Sequence, residues 1–170
     1  MQVSNELENK ISYYYPQIYK FALLKLKSAE QAMDVTQEVF CKYIENQKPF
    51  ESELHERNWL YRTASNICGS YWRSSWYKRV SLNNEIEIQS VNDGPDKEYM
   101  EKEKGQALLK AVLSLPIAYR ELIHLFYYEN MSIKDIAFIT HKNESTIQTQ
   151  LARGRTKLKK KMEELGYDGF

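Results

Sequence analysis

Residues 132–161 read SIKDIAFITHKNESTIQTQLARGRTKLKKK, and this stretch decides the fold. Ser132 followed three residues later by Asp135 is a helix-start pattern: the hydroxyl accepts from an orphan backbone N–H, and the carboxylate sits at the positive end of the helix. Ile133, Ile136 and Ala137 give that helix an apolar face. Thr140, His141, Lys142 and Asn143 break the period, and Asn143 is a good cap, so a second helix is expected from Glu144. A short helix, a tight turn and a longer helix make a helix-turn-helix. The longer helix turns Ile147, Leu151 and Leu158 inward. It leaves Gln148, Thr149, Arg153, Arg155, Lys157 and Lys159 to Lys161 for solvent or a polyanion. From Met131 to Met162 eight Lys/Arg stand against two acids, Asp135 and Glu144. A charge run alone describes a solvated helix, whereas behind a first helix and a turn it is the footprint of a major-groove reader.

Working outward, 170 residues suit one domain or two small ones. The net charge of +1 conceals segregation. Residues 42–80 hold seven Lys/Arg and four acids, and residues 81–104 hold three Lys and seven acids, so basic blocks flank an acidic connector. No apolar run is long enough to span a bilayer, and MQVSNELENK lacks the layout of a signal peptide, which predicts a cytoplasmic protein without direct membrane insertion. Cys41 and Cys68 fall in predicted helices without CxxC spacing, the pattern of reduced, core-packed thiols.

Toward the N-terminus, Leu7, Ile11, Tyr14, Tyr15, Ile18, Phe21 and Ala22 recur at helical spacing, with Pro16 predicting a kink or a fresh start. Ser28 with Gln31 caps a second helix carrying Ala32, Val35, Val39 and Tyr43 on one face to about Asn46. Its other face holds Asp34, Gln37, Glu38 and Phe40. Lys48 to Arg57 reads as a loop, after which Asn58 is expected to cap a third helix with Leu60, Ala64, Ile67 and Tyr71 buried. The dense series Tyr71, Trp72, Trp76 and Tyr77 alternates with Arg73, Lys78 and Arg79. Both a core role and a role in stacking single-stranded nucleic acid fit that composition. Ser81 to Lys104, with its NDGP cluster, reads as a linker. Helical spacing resumes at Leu108, Val112 and Leu115, and Pro116 opens a further helix with Leu122, Ile123 and Phe126 packed. The expected fold is all-α, two small helical domains joined by a flexible acidic linker, the second ending in the helix-turn-helix. His55, His124 and His141 lie in separate segments, and no phosphate loop, GxSxG or HExxH occurs. Neither catalysis, a metal nor a cofactor is expected.

Four stretches together resemble the bacterial sigma-70 family, in its extracytoplasmic-function (ECF) group. They are Ala32-Met33-Asp34-Val35-Thr36-Gln37-Glu38-Val39-Phe40, Trp59-Leu60-Tyr61-Arg62-Thr63-Ala64-Ser65-Asn66, Leu115-Pro116-Ile117-Ala118-Tyr119-Arg120-Glu121-Leu122 and Asp135-Ile136-Ala137. The resemblance covers nearly the whole chain. It implies region 2 over 1–80, binding RNA polymerase core and the minus-10 element, a linker over 81–104, and region 4 over 105–170, reading minus-35 DNA. By resemblance, Asp34, Gln37, Glu38 and Phe40 contact core polymerase. Arg62, Asn66, Trp72 and Arg73 meet the minus-10 strand, Asn66 and the Lys48 to Arg57 loop capturing a flipped base. On the recognition helix, Gln148, Thr149, Arg153, Arg155, Lys157 and Lys159 meet minus-35 DNA. An anti-sigma partner is implied on the same ground.

Ser70 stands where the family usually has Asp, His141 where a turn Gly is usual, and Lys142 where an apolar residue is usual. Gln148 and Gln150 replace customary basic residues, which implies a different sequence preference. Two other classes remain for comparison. A stand-alone DNA-binding regulator does not require the Asp34 to Phe40 stripe, and a pure protein-interaction module does not require Arg153, Arg155 and the lysines in one row.

Overall fold

The computed structural model describes residues 2–74 and 97–169, which contain helices and no strands. In chain order the helices are α1 (Gln2–Leu26), α2 (Ala29–Glu45), α3 (Glu53–Arg73), α4 (Lys97–Ser114), α5 (Ile117–Ile123), α6 (Ile133–Thr140) and α7 (Glu144–Glu164), with a π-helical turn at His124–Tyr128 after α5. Two compact units result. One gathers α1, α2 and α3 with Lys134–Lys142, and the other gathers α4, α5 and α7. The expected linker residues 81–96, with the strand-like Glu85 to Ile88, and the aromatic-basic residues Trp76 to Arg79 lie outside the described residues.

In the first unit, α1 runs unbroken through Pro16. Proline removes one helix hydrogen bond, and the Gln17 side chain donates to the Tyr13 carbonyl beside the gap at 3.2 Å. Lys27 then closes α1 at a φ of 55°. The expected cap at Ser28 is present, its hydroxyl accepting from the Gln31 N–H at 3.3 Å. Ile18, Phe21, Ala22, Ala32, Val35, Val39, Leu60, Tyr61 and Ala64 form the core between the three helices. Each large aliphatic side chain buried there contributes about 1.5–3 kcal/mol relative to exposure.

Three boundaries and placements differ from expectation. α3 begins at Glu53 rather than after Asn58, because Ser52 takes the capping role and accepts from the His55 N–H at 3.0 Å. His55, Glu56 and Arg57 are therefore helical, and Asn58 is buried inside α3. This turn of helix carries Glu56, 4% exposed, whose carboxylate accepts from Tyr43 Oη at 2.6 Å and pairs with Lys10 Nζ at 3.2 Å. One carboxylate thus ties α1, α2 and α3 together. α4 starts at Lys97, inside the expected linker, since Lys, Glu, Met and Tyr are acceptable helix formers and no proline follows until Pro116. Cys68 is buried as expected, but Cys41 is exposed, on the solvent side of α2.

In the second unit, α7 packs on α4 and α5 through Ile147, Leu151, Leu158 and Met162. Gly154 permits the closest approach: a Cβ there would lie 3.1 Å from Ile123 Cδ1 and 3.4 Å from Tyr119 Cβ. Buried Arg120 holds the end of α4, its Nη1 donating to the Leu113 and Leu115 carbonyls at 3.2 Å. These contacts fix the face that α7 turns outward.

Candidate nucleic-acid and polymerase interfaces

Three surfaces carry the side chains singled out by the sequence. The first is on α2, where buried Val35, Thr36 and Val39 face the core. Met33, Asp34, Gln37, Glu38 and Cys41 consequently share the exposed side, at the three- and four-residue spacings that align along a helix. Phe40 does not belong to this stripe. It is 4% exposed and packs against Tyr15 at 5.4 Å and Tyr43 at 6.1 Å between ring centroids. This packing turns it inward, and the exposed apolar side chains on the solvent side of α2 are Met33, at 49%, and Ile44, at 57%. Burial foremost, then the charges of Asp34 and Glu38, raise the Tyr71 phenol above its ordinary range, which places the end of α3 beside this acidic stripe.

The second surface lies on α3. Arg62, Asn66 and Arg73 are four and seven residues apart and share one face, with Asn66 and Arg73 exposed. Trp72 is not brought together with them: it sits roughly a quarter turn away and directs its indole N–H to the Lys25 carbonyl at 3.5 Å. Arg73 donates to Ser70 Oγ at 3.3 Å. At the start of α3 the loop is shorter than expected, residues 46–52, and an aromatic cluster holds it. Phe50 lies 5.6 Å from Trp59, 5.5 Å from His55 and 6.0 Å from Tyr43.

Segment 134–142 packs on this same face of α3. Asn58 Nδ2 donates to Asp135 Oδ1 at 2.9 Å, and an Arg57 guanidinium nitrogen is 3.7 Å from Asp135 Oδ2. The Arg62 guanidinium lies 4.3 Å from the centre of the Phe138 ring. His141 reaches Asn66 Oδ1 through Nε2 at 3.1 Å and Arg62 Nη2 through Nδ1 at 3.4 Å. Asn58, Phe138 and His141 carry no local signal of these roles, because their partners are more than 70 positions away in sequence.

The third surface is the outward side of α7. Gln148, Thr149, Arg153, Arg155, Lys157 and Lys159 are all exposed, as the periodicity requires. They are not equivalent. Arg155 and Lys157 each reach a tyrosine of the preceding segment. Arg155 donates to Tyr127 Oη at 2.8 Å, and Lys157 Nζ stands 6.0 Å from the Tyr119 ring. His141 before α7 takes a φ of 58°, the left-handed conformation expected at that turn. The arrangement offers amide, hydroxyl and guanidinium groups to base edges and cations to phosphates.

Two family models match the chain. Residues 11–77 match the family model for sigma-70 region 2, and residues 105–158 match that for sigma-70 region 4. The ECF RNA polymerase sigma factor SigW of Bacillus subtilis (strain 168) is 27% identical over 91% of this chain and 88% of its own length. RNA polymerase sigma factor YlaC of the same organism is 26% identical over 95% of both. The sigma factor RpoE from Bartonella quintana, solved in complex with the anti-sigma factor NepR, shares the fold with a TM-score of 0.68 and 24% identity, over 96% of this chain and 99% of that one. With both regions matched in order along one chain, the protein belongs to the sigma-70 family, in its ECF group.

Proposed function

We infer that this chain is an ECF-type sigma factor that binds RNA polymerase core and directs promoter-specific initiation of transcription. The observation that carries the inference is the presence of two chemically opposite exposed faces in one chain. The α2 stripe of Met33, Asp34, Gln37 and Glu38 is acidic and apolar, unsuited to DNA and suited to a protein partner. The α7 face of Gln148, Thr149, Arg153 and Lys159 is basic and polar, suited to duplex DNA. A regulator acting on DNA alone has no need of the first.

Region 2 is assigned to residues 1–80, the connector to 81–104 and region 4 to 105–170. Asp34, Gln37 and Glu38, with Met33, contact core. Arg62, Asn66 and Arg73 contact the unpaired minus-10 strand, Asn66 reading one flipped base on its pairing edge. Trp72 serves that strand from the flank of α3. Gln148, Thr149 and Arg153 read minus-35 base edges, and Arg155, Lys157 and Lys159 hold phosphates. The chain performs no catalysis itself. It works in the cytoplasm; among the described residues no helix is long and apolar enough to cross a membrane. An anti-sigma factor is the natural restraint, on the precedent of the structurally similar RpoE bound to NepR.

Run-off transcription with purified core polymerase and a genomic fragment library tests the inference. Discrete transcripts that require this chain are expected. Their absence, with core binding verified, overturns it.

A further inference from the structure

The Arg155 guanidinium is held in place before any DNA arrives. Its Nη1 donates to Tyr127 Oη at 2.8 Å, a contact that joins α7 to the π-helical turn 28 positions earlier. An arginine side chain in water samples many rotamers, and fixing it in advance removes part of the entropy cost of a later contact. Arg155 stands seven residues, two helical turns, after Gln148 and four residues before Lys159, so the three share one side of α7. The Tyr127 hydroxyl reaches that same side.

The π-helical turn presents this hydroxyl outward. His124 and Leu125 are buried, and the Glu129 N–H donates to the His124 carbonyl at 3.0 Å, closing the widened turn. Beyond the buried pair the chain emerges, and Tyr127 is 46% exposed. The Phe126 ring meets the Tyr127 ring edge to face at 5.0 Å between centroids, which limits how the phenol can swing. Glu129, the acid closest to Tyr127 in sequence, is engaged by His124, its Oε1 lying 3.3 Å from Nε2. Chemically, the pair presents donors to one acceptor. Tyr127 Oη takes the arginine N–H on a lone pair, which leaves its own O–H proton to donate, beside the remaining N–H groups of a charged guanidinium. Neutral and charged donors converging at an exposed rim suit the non-bridging oxygens of a phosphate.

We propose that Tyr127 and Arg155 form a single phosphate-binding site for duplex DNA, the phenol both orienting the guanidinium and donating its own proton to the same phosphate group. The proposal rests on the reading of α7 as the minus-35 recognition helix. It adds a residue outside α7 to the DNA-binding surface and ties one backbone phosphate to the side of α7 that carries Gln148.

The test uses holoenzyme formed from the full chain and purified core polymerase, with a duplex that holoenzyme, but not core alone, enriches from a pool randomised at the minus-35 element. Tyr127→Phe keeps the ring and removes only the hydroxyl. Its holoenzyme is expected to bind the enriched duplex roughly fivefold more weakly, the loss of one hydrogen bond to a charged group at an exposed site. Phosphates of that duplex are then replaced one at a time by neutral methylphosphonate. One position is expected at which the replacement removes the deficits of both Tyr127→Phe and Arg155→Ala, and the double variant should lose less than the product of the two single losses. A folding defect in either variant would weaken binding to every modified duplex alike, so the scan separates it from loss of a contact. Unchanged affinity of Tyr127→Phe, deficits that map to different phosphates or to none, or losses that multiply, overturn the proposal. Failure of the underlying reading has a different signature: holoenzyme then enriches no duplex over core alone, and the proposal falls with it.

Discussion

Glu56 shows how one side chain can set a stability profile. Its hydrogen bond, foremost, holds the Lys10 ammonium above its ordinary 10.5. Burial, then the hydrogen bond and charge of Glu56, push the Tyr43 phenol well above its ordinary 10.0. Both folded-state values are raised, so above a pH of about 10 the folded chain holds more protons than the unfolded one. This contribution to stability is therefore intact below that pH and declines as pH rises further. Tyr43→Phe is expected to flatten the alkaline loss while costing about 1–3 kcal/mol at neutral pH, because the buried carboxylate loses a donor. Denaturant titrations at a series of pH values measure both. Phe40 calls for a separate expectation. As a core residue, Phe40→Ala should cost about 3–5 kcal/mol in unfolding experiments. Glu38→Arg or Met33→Ala should leave the melt near that of the parent and weaken co-purification with core, by ~2 kcal/mol where an interface anchor is lost. Glu38 and Phe40, two positions apart, stand roughly 200° apart around a helix and cannot share one stripe, and the Tyr15 ring stacked on Phe40 shows that Phe40 is the one turned inward.

Among the helices, α2 and α7 were the most legible and α3 the least. Ser28 and Asn143 both stand at the N-cap positions their sequence context predicts, but only the Ser28 side chain accepts a capping hydrogen bond. For α3 the residue type misled. Asn58 is a good cap, but Ser52, six positions earlier, is an equal one, and only the packing of Glu56 against Lys10 and Tyr43 decides between them. The π-helical turn at His124–Tyr128 had no visible precursor in the periodicity, which cannot register a single widened turn. On α7, Arg153→Ala is expected to alter which minus-35 sequences are preferred, a bidentate base contact being worth roughly 1–3 kcal/mol. Lys159→Ala should lower affinity evenly and reduce the salt slope by about 1. Binding of a randomised duplex pool over a salt series separates the two, and equal weakening of all sequences by both variants leaves α7 as a backbone clamp only. On α3, Asn66→Ala is expected to melt near the parent and to fail in open-complex formation. A template with its minus-10 bases already unpaired should not rescue it, as permanganate footprinting reports. Full recovery on that template would reassign Asn66 to strand separation.

Taken entire, the chain was legible where information is local and silent where it is long-range. The all-helical class, the helix-turn-helix and the exposed face of α7 followed from periodicity and caps. The contacts of segment 134–142 with α3 did not, since nothing near His141 indicates an amide 75 positions earlier. The Glu56 junction, also long-range, has a consequence for how the first unit opens. Lys10, Tyr43 and Glu56 lie on three different helices and share one carboxylate, so releasing any one helix strands a buried charge or hydroxyl on the other two. Amide protons of α1 near Lys10, of α2 near Tyr43 and of α3 near Glu56 should therefore exchange with solvent deuterium in a single cooperative step. In Glu56→Gln that step should divide, with the Lys10 end of α1 exchanging ahead of the rest.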